Sequence, residues 1–189
     1  MNKKFYCLID FSKSMSVLNK GTIAMRVASQ LFYSDIPYIY NSIPFMWSTN
    51  IESINSQGSI NSSKVSVKVL VDWLKGLDTN SFNCVLLLTD GLVDDISRSY
   101  RKVLSTLNNV KVSVIGIGPD ANSINLSKFA SSGKYYGAHD IYSALLELFS
   151  RDELKISKLS VNDLISSVSE QSLQNSNNLE NGEEEEDEW

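Results

Sequence analysis

Three oxygen-bearing side chains at alternate positions, Asp10, Ser12 and Ser14, form the first group in this chain that could do chemistry. A carboxylate and two hydroxyls at i, i+2 and i+4 are hard donors, suited to a small hard cation such as Mg²⁺ or Mn²⁺. A turning loop can aim every second side chain at one point, so the spacing matters as much as the residue types. The same residues also serve as ordinary turn and cap residues at a strand end. Taken alone, the stretch leaves both readings open.

A second carboxylate has the same setting. Cys84 to Leu88 is a short apolar run that leads into Thr89-Asp90-Gly91, much as Phe5 to Ile9 leads into Asp10. Runs of this length suit strands covered on both faces and are too short to span a membrane. Two such strands bring their terminal carboxylates together if they are neighbours in a parallel sheet. Open α/β sheets bind ligands just outside the carboxyl ends of their strands, where neighbouring connections diverge.

Asp10-x-Ser12-x-Ser14-Met15, followed by Thr89-Asp90-Gly91, resembles the von Willebrand factor type A (vWA) domain family over roughly residues 3–150. The resemblance implies a Rossmann-like, doubly wound α/β fold with a mostly parallel sheet flanked by helices. It also implies a metal-ion-dependent adhesion site (MIDAS) holding Mg²⁺ or Mn²⁺. In that site Ser12 and Ser14 would ligate the metal directly, and Asp10 and Asp90 would act directly or through water. The family also supplies a Thr from the loop before the helix that starts near Val65. No Thr stands there; Ser63 is the best substitute and Ser62 the fallback. The glycine pair that often precedes this Thr is absent too.

The elements that must position these groups alternate along the chain. Ile23, Ala24, Val27, Ala28 and Leu31 give one apolar helical face within residues 21–33. Pro37 and Pro44 punctuate the next stretch, and 38–40 and 43–47 read as extended segments around a turn at Asn41-Ser42. Residues 53–63, rich in Ser, Asn and Gly, read as a loop. Val67, Leu70, Val71, Leu74 and Leu77 favour a helix over 65–77. Asp94 and Asp95 open the next helix, where acids suit the N-terminal dipole, with Tyr100, Val103, Leu104 and Leu107 on its apolar face. A buried strand over 110–117 closes at Gly118-Pro119-Asp120. A short helix over 124–130, an edge strand at Tyr135-Tyr136 and a helix over 141–149 complete the body. Alternating strands and helices imply a mostly parallel sheet covered on both faces.

Composition divides the 189 residues in two. Residues 1–150, the vWA-like domain, hold 14 Lys or Arg against 11 Asp or Glu; residues 151–189 hold 3 against 11. The appendage is expected to form a short helix at about 160–173, with Ser160 as cap and Asp163 in the first turn, then a flexible acidic tail. Its end, Glu183, Glu184, Glu185, Glu186, Asp187, Glu188 and Trp189, is read either as a solubilising tail or as a docking peptide for a partner. It could also reach the metal site of its own body or of a neighbouring copy. Cys7 and Cys84 both lie within expected strands and are read as free buried thiols. With no secretory pattern and no spanning segment visible, the expected location is cytoplasmic.

Other chemistries find little support. A haloacid-dehalogenase-type site would want an Asp at the position of Ser12, and no Gly-Lys-Ser/Thr phosphate loop is present. His139 is the single histidine, at an expected helix start, which speaks against a Ser-His-Asp triad and against zinc. No Lys/Arg cluster with interleaved aromatics favours nucleic-acid binding. The expectation is a non-enzymatic, metal-dependent protein interaction module, a scaffold or adaptor as in intracellular members of the family. Its open coordination position would capture an Asp or Glu of a partner protein. The alternatives are a hydrolase or phosphotransferase using the same metal, for which no general base is identifiable, and a domain whose metal is purely structural or lost.

Overall fold

The computed structural model describes residues 2–34, 36, 39, 42, 44–54, 64–93, 96 and 98–154. Ser62 and Ser63, Asp94 and Asp95, and the whole appendage beyond 154, including residues 183–189, lie outside the described residues.

Six strands form one sheet: β1 (Lys3–Asp10), β2 (Pro44–Trp47), β3 (Ile51–Ser53), β4 (Phe82–Thr89), β5 (Val110–Gly116) and β6 (Tyr136–Gly137). Their spatial order is β3-β2-β1-β4-β5-β6. All pairings are parallel except β2 with β3. The helices are α1 (Lys20–Phe32), α2 (Val67–Lys75), α3 (Arg98–Thr106), α4 (Ser123–Phe129), α5 (Ile141–Leu148) and α6 (Arg151–Leu154). This is the doubly wound α/β architecture, with the strand order reversing between β1 and β4.

The strand residues alternate between two apolar layers because successive side chains point to opposite faces. Leu8, Val85, Leu87, Val112 and Val114 pack with Trp47 and with the buried sides of α2, α3 and α4. Tyr100 and Phe129 meet edge to face in this layer, at 5.4 Å between ring centroids, and the Tyr100 hydroxyl donates to the Phe129 carbonyl at 2.9 Å. On the other face, Phe5 packs against Phe149 just beyond α5, and the Ser113 hydroxyl donates to Glu147 of α5. Cys7 and Cys84 are buried and free. Burial raises both thiols, pushing Cys7 up to about 12.

Several element boundaries differ from the sequence expectation. Ile23, counted on the apolar face of α1, is 38% exposed, whereas Ala24, Val27, Ala28 and Leu31 are buried. Ile39 lies in a turn, its N–H donating to the Ile36 carbonyl at 3.2 Å, where an extended segment was expected. α2 starts two residues later than the apolar pattern, because Ser66 caps it by accepting from the Val69 N–H. β3 is an unexpected antiparallel edge strand; Ile51 and Ser53 pair with Trp47 and Phe45. Past residue 150, Leu154 is buried and Lys3 of β1 pairs with Glu153 of α6 at 2.5 Å, so the packed body continues through α6. Among the described residues no helix is long and apolar enough to cross a membrane.

Candidate metal centre

Both expected carboxylates stand where the strand order reverses. Asp10 is the last residue of β1, and Asp90 follows the last residue of β4. Parallel pairing of Ile9 with Leu88 sets these two strand ends side by side. Asp10 is 1% exposed and Asp90 0%.

Every polar atom of Asp10 is accounted for. Oδ1 accepts from the Ser12 N–H at 2.7 Å, and Oδ2 accepts from the Thr89 hydroxyl at 2.5 Å. The backbone then winds into a 3-10 turn, Lys13–Ser16, with the Met15 N–H on the Ser12 carbonyl. The turn folds Ser14 back so that its Oγ lies 2.9 Å from Ser12 Oγ. The buried Met15 side chain anchors this loop in the core.

Burial raises the Asp10 carboxyl to about 6, against the opposing effect of its hydrogen bonds from Thr89 and Ser12; the Asp90 charge adds to the rise. Among the described residues no Lys or Arg pairs with Asp10. A buried carboxylate with hydroxyls beside it and no counter-charge of its own is a donor set that a hard cation fits. Among the described residues no cluster of three or more His, Cys, Asp or Glu side chains could hold a metal. Any ion here would therefore rest on carboxylate and serine oxygens together. Asp10, Ser12 and Ser14 would be the groups to hold it, each oxygen having a further lone pair beyond the bonds it makes here.

Asp90 differs from expectation in what it touches. Its Oδ1 accepts from the Leu92 N–H at 3.0 Å, and its Oδ2 forms a buried ion pair with Lys20 Nζ at 2.8 Å. Lys20 also donates to both oxygens of Asp120, at 3.0 and 2.8 Å. Burial works against the Lys20 charge, but the bonds to Asp120 and Asp90 outweigh it and hold the ammonium above its usual range. The same bond from Lys20 holds the Asp120 carboxyl below its usual range.

Two glycines make this packing feasible. Gly91 has φ +69°, and a Cβ there would sit 3.0 Å from the Asn122 carbonyl. Gly118 has φ +93°, and a Cβ would come within 2.5 Å of Lys20 Cδ.

The sequence reading missed Thr89 as a partner of Asp10, and missed Lys20 and Asp120 as members of the site. One signal for Lys20 was available: a cation at the first position of a helix opposes the helix dipole and asks for a reason. Of the expected ligands, Asp10, Ser12 and Ser14 come together and Asp90 lies beside them, paired with Lys20. The tail residues and the Ser63 hydroxyl fall outside the described residues.

No family model and no curated protein matches this sequence. Solved structures do match it. VWA2, the ArnB paralog from Sulfolobus acidocaldarius, is 24% identical with a TM-score of 0.54, over 72% of this chain and 41% of its own. The manganese-loaded TRAP protein of Plasmodium vivax is 16% identical with a TM-score of 0.54, over 76% of this chain and 72% of its own. Proximal thread matrix protein 1 from the mussel byssus, with a zinc-occupied MIDAS motif, is 14% identical with a TM-score of 0.52, over 77% of this chain and 46% of its own. This chain therefore spans less than half the length of the first and third. The sheet order, the flanking helices and these structural likenesses agree with the motif resemblance, and the chain has the fold of the von Willebrand factor type A domain.

Proposed function

We propose that this domain is a non-enzymatic, divalent-cation-dependent protein interaction module, acting as a scaffold or adaptor. The observation that carries the reading is the buried Asp10 carboxylate, paired with no Lys or Arg among the described residues, with Ser12 and Ser14 gathered beside it at the reversal of strand order. A manganese-loaded structural neighbour and another with zinc in its MIDAS motif support a divalent ion. In this reading Asp10, Ser12 and Ser14 hold Mg²⁺ or Mn²⁺, Ser63 supplies a further hydroxyl, and Asp90 borders the ion from the second strand. The metal supplies an electrophilic position for a carboxylate, and an Asp or Glu of a protein partner fills it.

Specificity must come from the surrounding surface, since one carboxylate–metal bond cannot tell partners apart. Val17, Leu18 and Leu92, in the loops that follow Asp10 and Asp90, are 52%, 61% and 43% exposed and offer apolar contact there. The acidic tail ending in Trp189 solubilises the protein or binds a basic partner elsewhere, or it competes for the metal.

The test is titration calorimetry with Mg²⁺ and Mn²⁺, coupled to affinity capture with and without metal, on wild-type protein and Asp10→Ala. The expected result is metal binding by the wild type alone, and partners retained only when metal is present. Absence of metal binding by the wild type at millimolar concentration overturns the reading.

A further inference from the structure

Lys20 is delivered to the metal-site edge against several local preferences. It opens α1, where a positive charge opposes the helix dipole. The two residues before it, Leu18 and Asn19, take left-handed backbone angles, φ 55° and 56°. Gly118 leaves the space its methylenes need, and the side chain is only 1% exposed. Each of these features is unfavourable or restrictive by itself, and all serve to place one ammonium 2.8 Å from Asp90 Oδ2. Its second partner, Asp120, lies in the connection after β5 and is 43% exposed.

We propose that Lys20 is a tethered resident cation that neutralises Asp90 without metal and, with Asp120 as its counterweight, sets how tightly a divalent ion binds at Asp10, Ser12 and Ser14. The inference rests on the proposed metal reading and adds a control that no ligand residue supplies. Lys20 ties together the connections after β1, β4 and β5, so the metal-free site is held in place by an internal ion pair. A divalent ion arriving at Asp10 meets the ammonium as a like charge, and Asp90 is already shared. Asp120 shares the ammonium with Asp90 and offsets its charge, which favours the ion.

The charges therefore predict opposite signs for two neighbouring substitutions. Lys20→Met should tighten Mn²⁺ binding about tenfold or more, the size of one modest charge–charge interaction of ~1.4 kcal/mol. Asp120→Asn should weaken it several-fold. The double variant, which removes one charge of each sign, should return close to wild-type affinity, and Lys20→Arg should remain near wild type because it keeps the charge.

The experiment is titration of full-length protein with Mn²⁺ at fixed ionic strength, with free Mn²⁺ read by electron paramagnetic resonance and folding checked by circular dichroism. Tighter binding by Lys20→Met together with weaker binding by Asp120→Asn, or binding by Lys20→Met where the wild type shows none, supports the proposal. Wild-type binding with unchanged affinities, with both single variants moving in the same direction, or with the two shifts reversed, overturns the role of Lys20 and leaves the metal reading standing. No Mn²⁺ binding by any folded variant overturns both. If Lys20→Met does not fold, Asp120→Asn decides alone: weaker binding supports the proposal, and equal or tighter binding overturns it.

Discussion

The Thr89 hydroxyl donates to Asp10 Oδ2 at 2.5 Å, joining the ends of two neighbouring parallel strands inside a site where both residues are buried. Thr89 Oγ1 also accepts from the Gly91 N–H at 3.0 Å, so one side chain organises both carboxylate-bearing loops. Thr89→Val keeps the shape and removes the donor, leaving a buried carboxylate oxygen unsatisfied. The expected loss is ~1–3 kcal/mol of stability. Thr89→Ser keeps the hydroxyl and gives up one buried methyl, ~1 kcal/mol. Denaturant unfolding of both variants checks the order Val worse than Ser.

Ser14 is half-buried, and its hydroxyl meets only Ser12 Oγ among the described polar atoms. Ser14→Ala should therefore leave metal-free stability within ~0.5 kcal/mol of wild type. The rise in melting temperature caused by millimolar Mn²⁺ should shrink or vanish, because that rise follows mass action on the bound form. Differential scanning calorimetry with Mn²⁺ and with chelator separates the two effects.

Gly91 sits at φ +69°, with the Asn122 carbonyl 3.0 Å and Leu126 Cγ 3.1 Å from where a Cβ would lie. Gly91→Ala adds left-handed strain and a contact with backbone that has no room to move. A loss of ~1–3 kcal/mol is expected, read as a lower urea midpoint with an unchanged slope.

Glu153 carries a pH dependence. Its hydrogen bond from Lys3, with further bonds from Ser150, lowers its carboxyl from 4.5 to about 2. The folded value lies below the unfolded one, so the ionised form is favoured by folding. Its contribution is complete above the ordinary carboxylate range and is lost as pH falls from about 4.5 toward 2. Glu153→Gln should therefore lower stability at neutral pH and converge with wild type in acid. Unfolding midpoints measured across that window test this, and they test whether α6 is held to β1.

The strand ends that carry Asp10 and Asp90 were legible in the sequence because a buried parallel strand must be an unbroken apolar run, and a carboxylate ends such a run abruptly. The helical faces of α1 and α2 were legible through their spacing, and the ligand motif through three hydroxyl- or carboxylate-bearing residues at alternate positions. What joins residues far apart in the chain was not legible. Lys20, Asp90 and Asp120 lie on three different connections, 70 and 100 positions separate Lys20 from its two partners, and no local pattern encodes their meeting. β3 was missed because an edge strand of three residues, with only Ile51 apolar, carries too little periodicity to read. Local sequence determined the long strands, the helices and where oxygen donors cluster, since those follow from side-chain periodicity and backbone preference. Only the tertiary structure decided that Asp90 faces an ammonium while Asp10 faces none among the described residues, because charge pairing in a buried site depends on which loops the sheet brings together.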